Sequence, residues 1–115
     1  MTKEQEAILK RAIDHYGIDN QLTKTVEELS ELTKEICKLK IAGQNFNGAD
    51  LIQARQNLLE EKADVYIMLM QLDLHFGESL AIIDEKIARL EQRMDEDDQN
   101  DCTRDTAEQQ PIHRA

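Results

Sequence analysis

Apolar side chains recur at helical spacing along most of this chain, and the pattern predicts four α-helices. Glycine stops and polar capping residues mark the expected ends of these helices. The expected ranges are residues 4 to about 16, residues 19 or 20 to about 41, residues 50 to 76 and residues 79 to 94, with a loop at 42–49. An irregularity is expected near residues 55–57 of the third helix. The fold class that follows is all-α, a four-helix-type bundle.

The second helix carries an apolar stripe that predicts its core-facing side. The stripe spans an arc of about 140° at 100° per residue. Glu28 lies just beyond one edge of this arc and Glu31 slightly farther out, whereas Glu27 points almost directly away from it. We therefore expect Glu28 to serve a site beside the core and Glu27 to face solvent or a neighbouring subunit. The stripe consists of Leu22, Val26, Leu29, Leu32, Ile36 and Leu39.

The third helix is apolar on nearly all sides, which is typical of a helix that is buried all round. One stripe contains the carboxylate of Glu61, and a carboxylate on a core face is costly unless it is paired or coordinated. In so small a domain the second face is expected to meet another copy of the chain, which predicts a homodimer or homotetramer. The first stripe is Leu58, Val65, Met68, Leu69, Leu72 and Phe76; the second face is Leu59, Ala63, Tyr66, Ile67, Met70 and Leu74.

Composition limits the class of protein. Fourteen Lys and Arg against 24 Asp and Glu give a net charge of −10, which argues against a nucleic-acid or anionic-membrane partner. No apolar run has the length of a signal peptide or a membrane span, so we expect a cytoplasmic protein with reduced cysteines. Half of the net charge lies in residues 95–115, which lack apolar periodicity. We therefore expect a helical domain at residues 1–94 and an acidic disordered tail at 95–115.

Two pairs of carboxylates have the spacing of a metal site. Glu28 and Glu31, and likewise Glu61 and Asp64, stand three residues apart and so share one face of a helix. If the two helices pack together, four oxygen donors converge and repel one another unless a cation lies between them. Hard oxygen ligands favour Mg²⁺, with Mn²⁺ as the alternative.

The paired acidic motif resembles that of the MazG-type all-α nucleoside triphosphate pyrophosphohydrolases. The resemblance covers residues from about 5 to 94, and the interval between the two acidic motifs is at the long end for that family. Residues before and after the acidic pairs give weaker evidence for the same resemblance. The motif is Glu27-Glu28-x-x-Glu31 and, after 29 intervening residues, Glu61-x-x-Asp64; the flanking residues are Tyr16-Gly17, Gln21 and Lys86-x-x-Arg89-x-x-x-Arg93.

The resemblance implies that Glu28, Glu31, Glu61 and Asp64 hold Mg²⁺ and that the chain hydrolyses a nucleoside or deoxynucleoside triphosphate between its α- and β-phosphates. Phosphoryl chemistry of this kind needs a metal to neutralise phosphate oxygens and to position or activate a water. A basic row suits the triphosphate, and arginine suits phosphate especially. The expected substrate-binding residues are Lys86, Arg89, Arg93 and Gln21; the expected water-orienting residue is Glu60 or Glu35.

Two other interpretations remain at this stage. The chain could be a non-catalytic acidic helical bundle that binds a protein partner, or a coiled coil without any site. The basic row also has an ordinary explanation in pairs within the fourth helix, such as Glu85 with Arg89. A nucleotide assay separates the enzyme from the binding protein, and Mg²⁺-dependent thermal stability separates both from the coiled coil.

Overall fold

The computed structural model describes residues 1–45 and 48–104, with side chains described up to residue 101. Within these ranges the chain forms α-helices and no strands, which confirms the predicted all-α class. The helices fall in two compact units, Met1–Glu78 and a second unit that begins at Ser79. Their bounds are α1 Lys3–Tyr16, α2 Ile18–Gln44, α3 Gly48–Phe76 and α4 Leu80–Arg104.

Local signals define both ends of α1. The Thr2 hydroxyl accepts a hydrogen bond from the Gln5 backbone N–H at 3.1 Å, and the Gln5 side chain accepts one from the Thr2 N–H at 3.0 Å. This reciprocal pair is a capping box that satisfies backbone groups left unpaired at a helix start. Gly17 ends the helix as predicted: its N–H donates to the Ile13 carbonyl, and its φ of 86° is one that glycine adopts readily.

Several predicted boundaries were wrong. Helix α2 begins at Ile18, with Gly17 and not Asp19 or Asn20 at the N-cap, and it continues three residues past Ile41. Helix α3 begins at Gly48 and runs without interruption to Phe76, so residues 42–44, 48 and 49, which were expected in a loop, are helical and the irregularity near residues 55–57 is absent. Longer helices keep more backbone groups hydrogen-bonded, and polar residues in these segments do not prevent this.

Helix α4 does not end at Met94, where the apolar pattern stops, but continues to Arg104. Acidic and amide side chains are compatible with a helix, and no proline or glycine stands between Met94 and Arg104 to end it. The start of the expected tail is therefore helical. The remainder of that tail, residues 105–115, lies outside the described residues.

Helices α2 and α3 pack against each other in antiparallel directions, and α1 packs against both. The direction is evident because Gln21 near the start of α2 contacts Gln71 near the end of α3, whereas Glu28 lies near Glu61. From Gln21 to Ala42, the buried or half-buried positions of α2 alternate at intervals of four and three residues, as expected for one side of a helix in a helix pair. These positions are Gln21, Thr25, Glu28, Leu32, Glu35, Leu39 and Ala42.

The predicted assignment of the α2 apolar stripe to the core was wrong for four of its six members. Only Leu32 and Leu39 are half-buried, and the others form an exposed surface that we call the outer apolar face. Helix α2 is thus turned so that a partly polar side is buried. The outer apolar face consists of Leu22, Val26, Leu29 and Ile36, which are 39, 63, 44 and 50% exposed.

The interior of the first unit contains an unusual share of polar side chains for a small helical domain. We call the buried and half-buried polar residues of α2 and α3 the polar seam, defined as Gln21, Thr25, Glu28, Glu35, Asn57, Glu61 and Gln71. Buried polar groups of this kind are normally retained where they are hydrogen-bonded or where they bind something.

Candidate metal centre

Three carboxylates of the first unit converge between α2 and α3. Glu28 comes from α2, and Glu61 and Asp64 come from successive turns of α3. One oxygen from each residue lies within 4.8 Å of the other two. Ligands on opposite sides of a cation at about 2.1 Å are about 4.2 Å apart, so small side-chain adjustments bring all three oxygens to one ion. The donor set, all carboxylate oxygen, fits Mg²⁺ or Mn²⁺.

The acidic doublet of α2 is divided between two environments, which confirms the predicted separation. The Glu28 side chain is 13% exposed and that of Glu27 is 61% exposed. Adjacent residues on a helix differ by about 100° in direction, so only one of the two carboxylates can lie between the helices. Glu28 is that residue, and Glu27 lies on the solvent side.

Glu61 is the electrostatic centre of the cluster. Partial burial is the largest of the effects that raise the pKa of the Glu61 carboxyl, and the negative charges of Asp64, Glu28 and Glu31 raise it further. A hydrogen bond from the protonated Glu61 carboxyl to Glu28 acts in the same direction. Burial and neighbouring negative charges both disfavour the ionised form of this carboxylate, so either protonation or a bound cation would stabilise it.

Lys24 supplies positive charge at the edge of the cluster. Its Nζ lies 3.0 Å from Glu28 Oε1 and 3.8 Å from Glu27 Oε2. The hydrogen bond to Glu28 and the charge of that residue are the main effects that raise the pKa of the Lys24 ammonium. A single ammonium opposite three converging carboxylates leaves the cluster with excess negative charge, as a divalent-cation site requires.

Glu31, the fourth predicted ligand, lies near the cluster but outside the group of three. Its side chain is exposed, and its charge contributes to the raised pKa of Glu61. The coordination of one ion by all four carboxylates therefore stays a prediction.

The two candidates for orienting a water have different surroundings. Glu60 is exposed, and its Oε1 accepts a long hydrogen bond of 3.4 Å from Gln56 Nε2. Glu35 is 8% exposed, and its Oε1 lies 3.6 Å from Lys38 Nζ. The other oxygen of Glu35 is buried and has no hydrogen-bond partner among the described residues. A buried oxygen without a hydrogen bond is energetically costly. Glu35 therefore gains more than the exposed Glu60 from accepting a hydrogen bond.

Gln21 is buried and takes part in a hydrogen bond that the sequence did not indicate. Its Nε2 donates to Gln71 Oε1 at 2.7 Å, and Gln71 Nε2 lies 3.7 Å from Met68 Sδ. Gln71 is 3% exposed and was missed because it lies on the edge of an otherwise apolar pattern. A polar residue within an apolar stripe, which singled out Glu61, is the signal that could have identified it.

An open cavity of about 650 Å³ is lined by residues of α1, α2 and α3. Both amides of the Gln21–Gln71 pair line it, and Lys24 connects it to the cluster through its contact with Glu28. The cavity has the size of a small-molecule site, and more than half of its lining residues carry polar groups. Its remaining lining residues include Leu9, Ala12, Tyr16, Asn20, Thr23, Glu27, Ile67 and Met68.

The predicted basic row belongs to the second unit. Lys86, Arg89 and Arg93 lie on α4, and all three side chains are exposed. Their assignment as phosphate ligands stays a prediction.

None of the family models, curated proteins and solved structures compared with the chain matches it. The resemblance to MazG-type enzymes therefore stays a prediction from the sequence motifs. Within the described part of the chain, no helix combines the length and apolar character needed to cross a membrane.

Proposed function

We propose that this protein is a Mg²⁺-dependent pyrophosphohydrolase that cleaves a nucleoside or deoxynucleoside triphosphate to the monophosphate and pyrophosphate. The observation that carries the proposal is the convergence of three carboxylates, Glu28, Glu61 and Asp64, of which Glu28 and Glu61 are half-buried. The motif resemblance supplies the reaction, and the carboxylate geometry supplies a place for the metal that the reaction needs.

Glu28, Glu61 and Asp64, together with the nearby Glu31, would hold Mg²⁺ or Mn²⁺. The ion would supply charge neutralisation at the phosphate oxygens and a lowered pKa for a bound water. Burial of Glu28 and Glu61 between two helices fixes their positions, and a fixed ligand set costs little reorganisation during the reaction. Lys24 is close enough to balance part of the negative charge of the cluster.

Glu35 and Glu60 remain the two candidates for orienting the attacking water. Glu35 lies seven residues after Glu28 on the same side of α2, about 10 Å along the helix axis. Glu60 is adjacent to Glu61 in the chain but is exposed. Burial and an unpaired oxygen favour Glu35, whereas proximity in sequence favours Glu60. Glu35→Gln and Glu60→Gln variants, compared by kcat at saturating nucleotide, identify which carboxylate acts.

The cavity beside the cluster is the proposed position of the nucleoside. Gln21 and Gln71 offer amide donors and acceptors, and Tyr16 offers a partly exposed aromatic ring. Amides can pair with the hydrogen-bonding edge of a base, and rings stack on its face. The triphosphate would then extend toward Lys24 and the carboxylates, with Lys86, Arg89 and Arg93 as its predicted further ligands.

The protein is also proposed to act as a homo-oligomer. Exposed apolar side chains occupy the outer apolar face of α2 and much of α3, including Leu59, Tyr66, Ile67 and Leu69. Contiguous apolar surface of this extent is typical of a protein interface. A dimer or tetramer would remove it from water.

A panel of ribo- and deoxyribonucleoside triphosphates tests the proposal directly. Each nucleotide is incubated with purified protein and Mg²⁺, and the products are separated by anion-exchange chromatography. Monophosphate and pyrophosphate should form in equal amounts, and chelation of the metal should stop the reaction. Diphosphate with orthophosphate would contradict cleavage between the α- and β-phosphates. The lack of any product from any nucleotide would favour the non-catalytic interaction protein.

A further inference from the structure

Helix α4 carries an apolar stripe with the spacing of a coiled-coil seam. Its members alternate at intervals of three and four residues, which are the a and d positions of two heptads. Ile87 at a with Leu90 at the following d favours two strands, whereas Leu80 at a with Ile83 at d favours three or four, so the core residues alone do not fix the number of strands. All members are exposed, by 46 to 64%: Leu80, Ile83, Ile87, Leu90 and Met94.

The charges beside this stripe are sorted by sign. The g positions are basic, at Lys86 and Arg93, and the e positions are acidic, at Asp84, Glu91 and Asp98. In a parallel pair each g residue faces the e residue five positions later on the other helix. Lys86 would therefore face Glu91 of a second copy, and Arg93 would face Asp98.

Lys86 and Glu91 have no oppositely charged residue at intrahelical pair spacing, whereas Arg93 has Glu96 and Asp97 at i+3 and i+4. Neither Lys86, Glu91 nor Arg93 forms an ion pair with any residue in the described part of the chain. An ordinary solvent-exposed helix usually gains from such pairs, so their absence requires another explanation.

We propose that α4 forms a parallel, in-register coiled coil with α4 of a second copy of this chain. A parallel arrangement pairs opposite charges at two of the three flanking positions, Lys86 with Glu91 and Arg93 with Asp98, and places the uncharged Ser79 opposite Asp84. An antiparallel arrangement would place g opposite g and e opposite e, so that lysine and arginine face each other and the carboxylates do the same. The charge pattern therefore specifies both the partner and its direction.

The proposal separates the members of the basic row. Lys86 and Arg93 flank the interface, whereas Arg89 occupies position c and faces away from it. Arg89 is then the member that stays accessible to a phosphate group. Two heptads are shorter than the three or four that mark a long coiled coil, so the contact should depend on protein concentration and weaken with salt.

Directed disulfide formation tests the register in the full-length chain. The background variant replaces both natural cysteines, as Cys37→Ser and Cys102→Ser. Met94→Cys places a thiol at an a position, and the matched control Gln92→Cys places one at the outward f position. Under mild oxidation, Met94→Cys should form the covalent dimer at least about tenfold faster than Gln92→Cys. Equal rates would overturn the proposal.

Direction is tested by mixing two variants. In a parallel pair, Ile83→Cys and Met94→Cys each cross-link to themselves and not to each other. An antiparallel pair places position d of one helix opposite position a of the other, so preferential formation of the mixed Ile83→Cys/Met94→Cys dimer would overturn the proposal.

Charge reversal supplies an independent measurement by sedimentation. Lys86→Glu places like charges opposite Glu91 in both halves of the pair and should weaken self-association by about tenfold at low salt. The double variant Lys86→Glu/Glu91→Lys restores opposite charges and should recover it. A monomeric wild-type chain, or a double variant as weak as Lys86→Glu alone, would overturn the proposal.

Discussion

The two sides of α2 differ in a way that reverses the usual arrangement of a small helical domain. On the side toward α3, Gln21, Thr25, Glu28 and Glu35 are buried or half-buried. On the other side, Val26 and Ile36 are at least half exposed. Thr25 and Val26, adjacent in the chain, are 6 and 63% exposed. A domain selected only for stability would place Val26 inside, because burial of a valine side chain is favourable by about 1.5–3 kcal/mol.

The difference indicates that the polar seam is retained for a reason other than stability. Carboxylates that converge between helices repel one another and lose hydration, so they oppose folding unless a ligand binds them. The outer apolar face is the complementary feature, since it exposes surface that a second subunit could cover. Substitutions on one side of α2 or α3 at a time separate the two features.

The largest effect is expected from Glu61→Gln. The substitution removes the half-buried carboxylate at the centre of the cluster, and we expect turnover with Mg²⁺ to fall by about 100-fold or more, because even residues outside the ligand shell of a metal can cost 10–100-fold. Mg²⁺ or Mn²⁺ should raise the thermal unfolding temperature of the wild type but not of the variant. Asp73→Asn, which removes an exposed carboxylate of the same helix, is the matched control for loss of a charge. Retained activity in Glu61→Gln would show that the metal assignment is wrong.

The same variant has a signature in the pH dependence of stability. The pKa of Glu61 is raised in the folded chain, so protonation favours folding, and this contribution is lost as the pH rises through the folded-state pKa. Without metal, the unfolding free energy of the wild type relative to Glu61→Gln should therefore fall with rising pH above the ordinary glutamate range. Chemical denaturation at a series of pH values measures this difference. A relative stability that rises with pH would contradict it.

An intermediate effect is expected from Gln71→Leu. The change leaves Gln21 Nε2 buried without its acceptor, and an unsatisfied buried donor costs about 1–3 kcal/mol of unfolding free energy. The double variant Gln21→Leu/Gln71→Leu removes both partners and should recover most of that loss. Urea denaturation of all four members of the cycle gives the coupling energy. Additive losses would show that the amide pair does not act as a unit.

The smallest effects should come from exchange of polar and apolar character at adjacent positions. Thr25→Val removes a hydroxyl that donates to the Gln21 carbonyl at 2.7 Å, and should cost about 0.5–1.5 kcal/mol. Val26→Thr alters an exposed side chain and should change the stability of the subunit by less than about 0.5 kcal/mol, while weakening self-association if this face is an interface. Dilute-solution unfolding and sedimentation separate the two effects. A large loss at Val26 in the monomer would place that residue in the core.

Much of the fold could be predicted from the sequence, because helix periodicity and glycine stops are local properties. Gly17 and Gly77 end α1 and α3 as expected, and Glu28 is separated from Glu27 because a helix turns by a fixed angle per residue. The rotation of α2 could not be predicted in the same way. An apolar stripe identifies side chains that avoid water, but it does not identify the helix that covers them.

The end of α4 was predicted wrongly for a similar reason. Periodicity stops at Met94 because no apolar side chains follow, yet the backbone stays helical to Arg104. Apolar periodicity reports a face for packing, whereas backbone hydrogen bonds determine the helix itself. For the site, the spacing of Glu61 and Asp64 predicted that both lie on one face of α3, and both belong to the converging group of carboxylates; their role as metal ligands stays a prediction. The roles of Lys24 and Gln71 depend on contacts between residues, including one 50 positions apart in the chain, which no local pattern encodes.

The antiparallel pairing of α2 and α3 also has a consequence for how quickly the cluster is assembled. These helices follow one another directly, with α2 ending at Gln44 and α3 beginning at Gly48, so their contacts require closure of only a short loop. Helical domains of low contact order fold within about milliseconds. The first unit contains no proline, since Pro111 is the only one in the chain, and so no prolyl isomerisation delays it. The carboxylates should therefore meet in a single fast step of chain collapse.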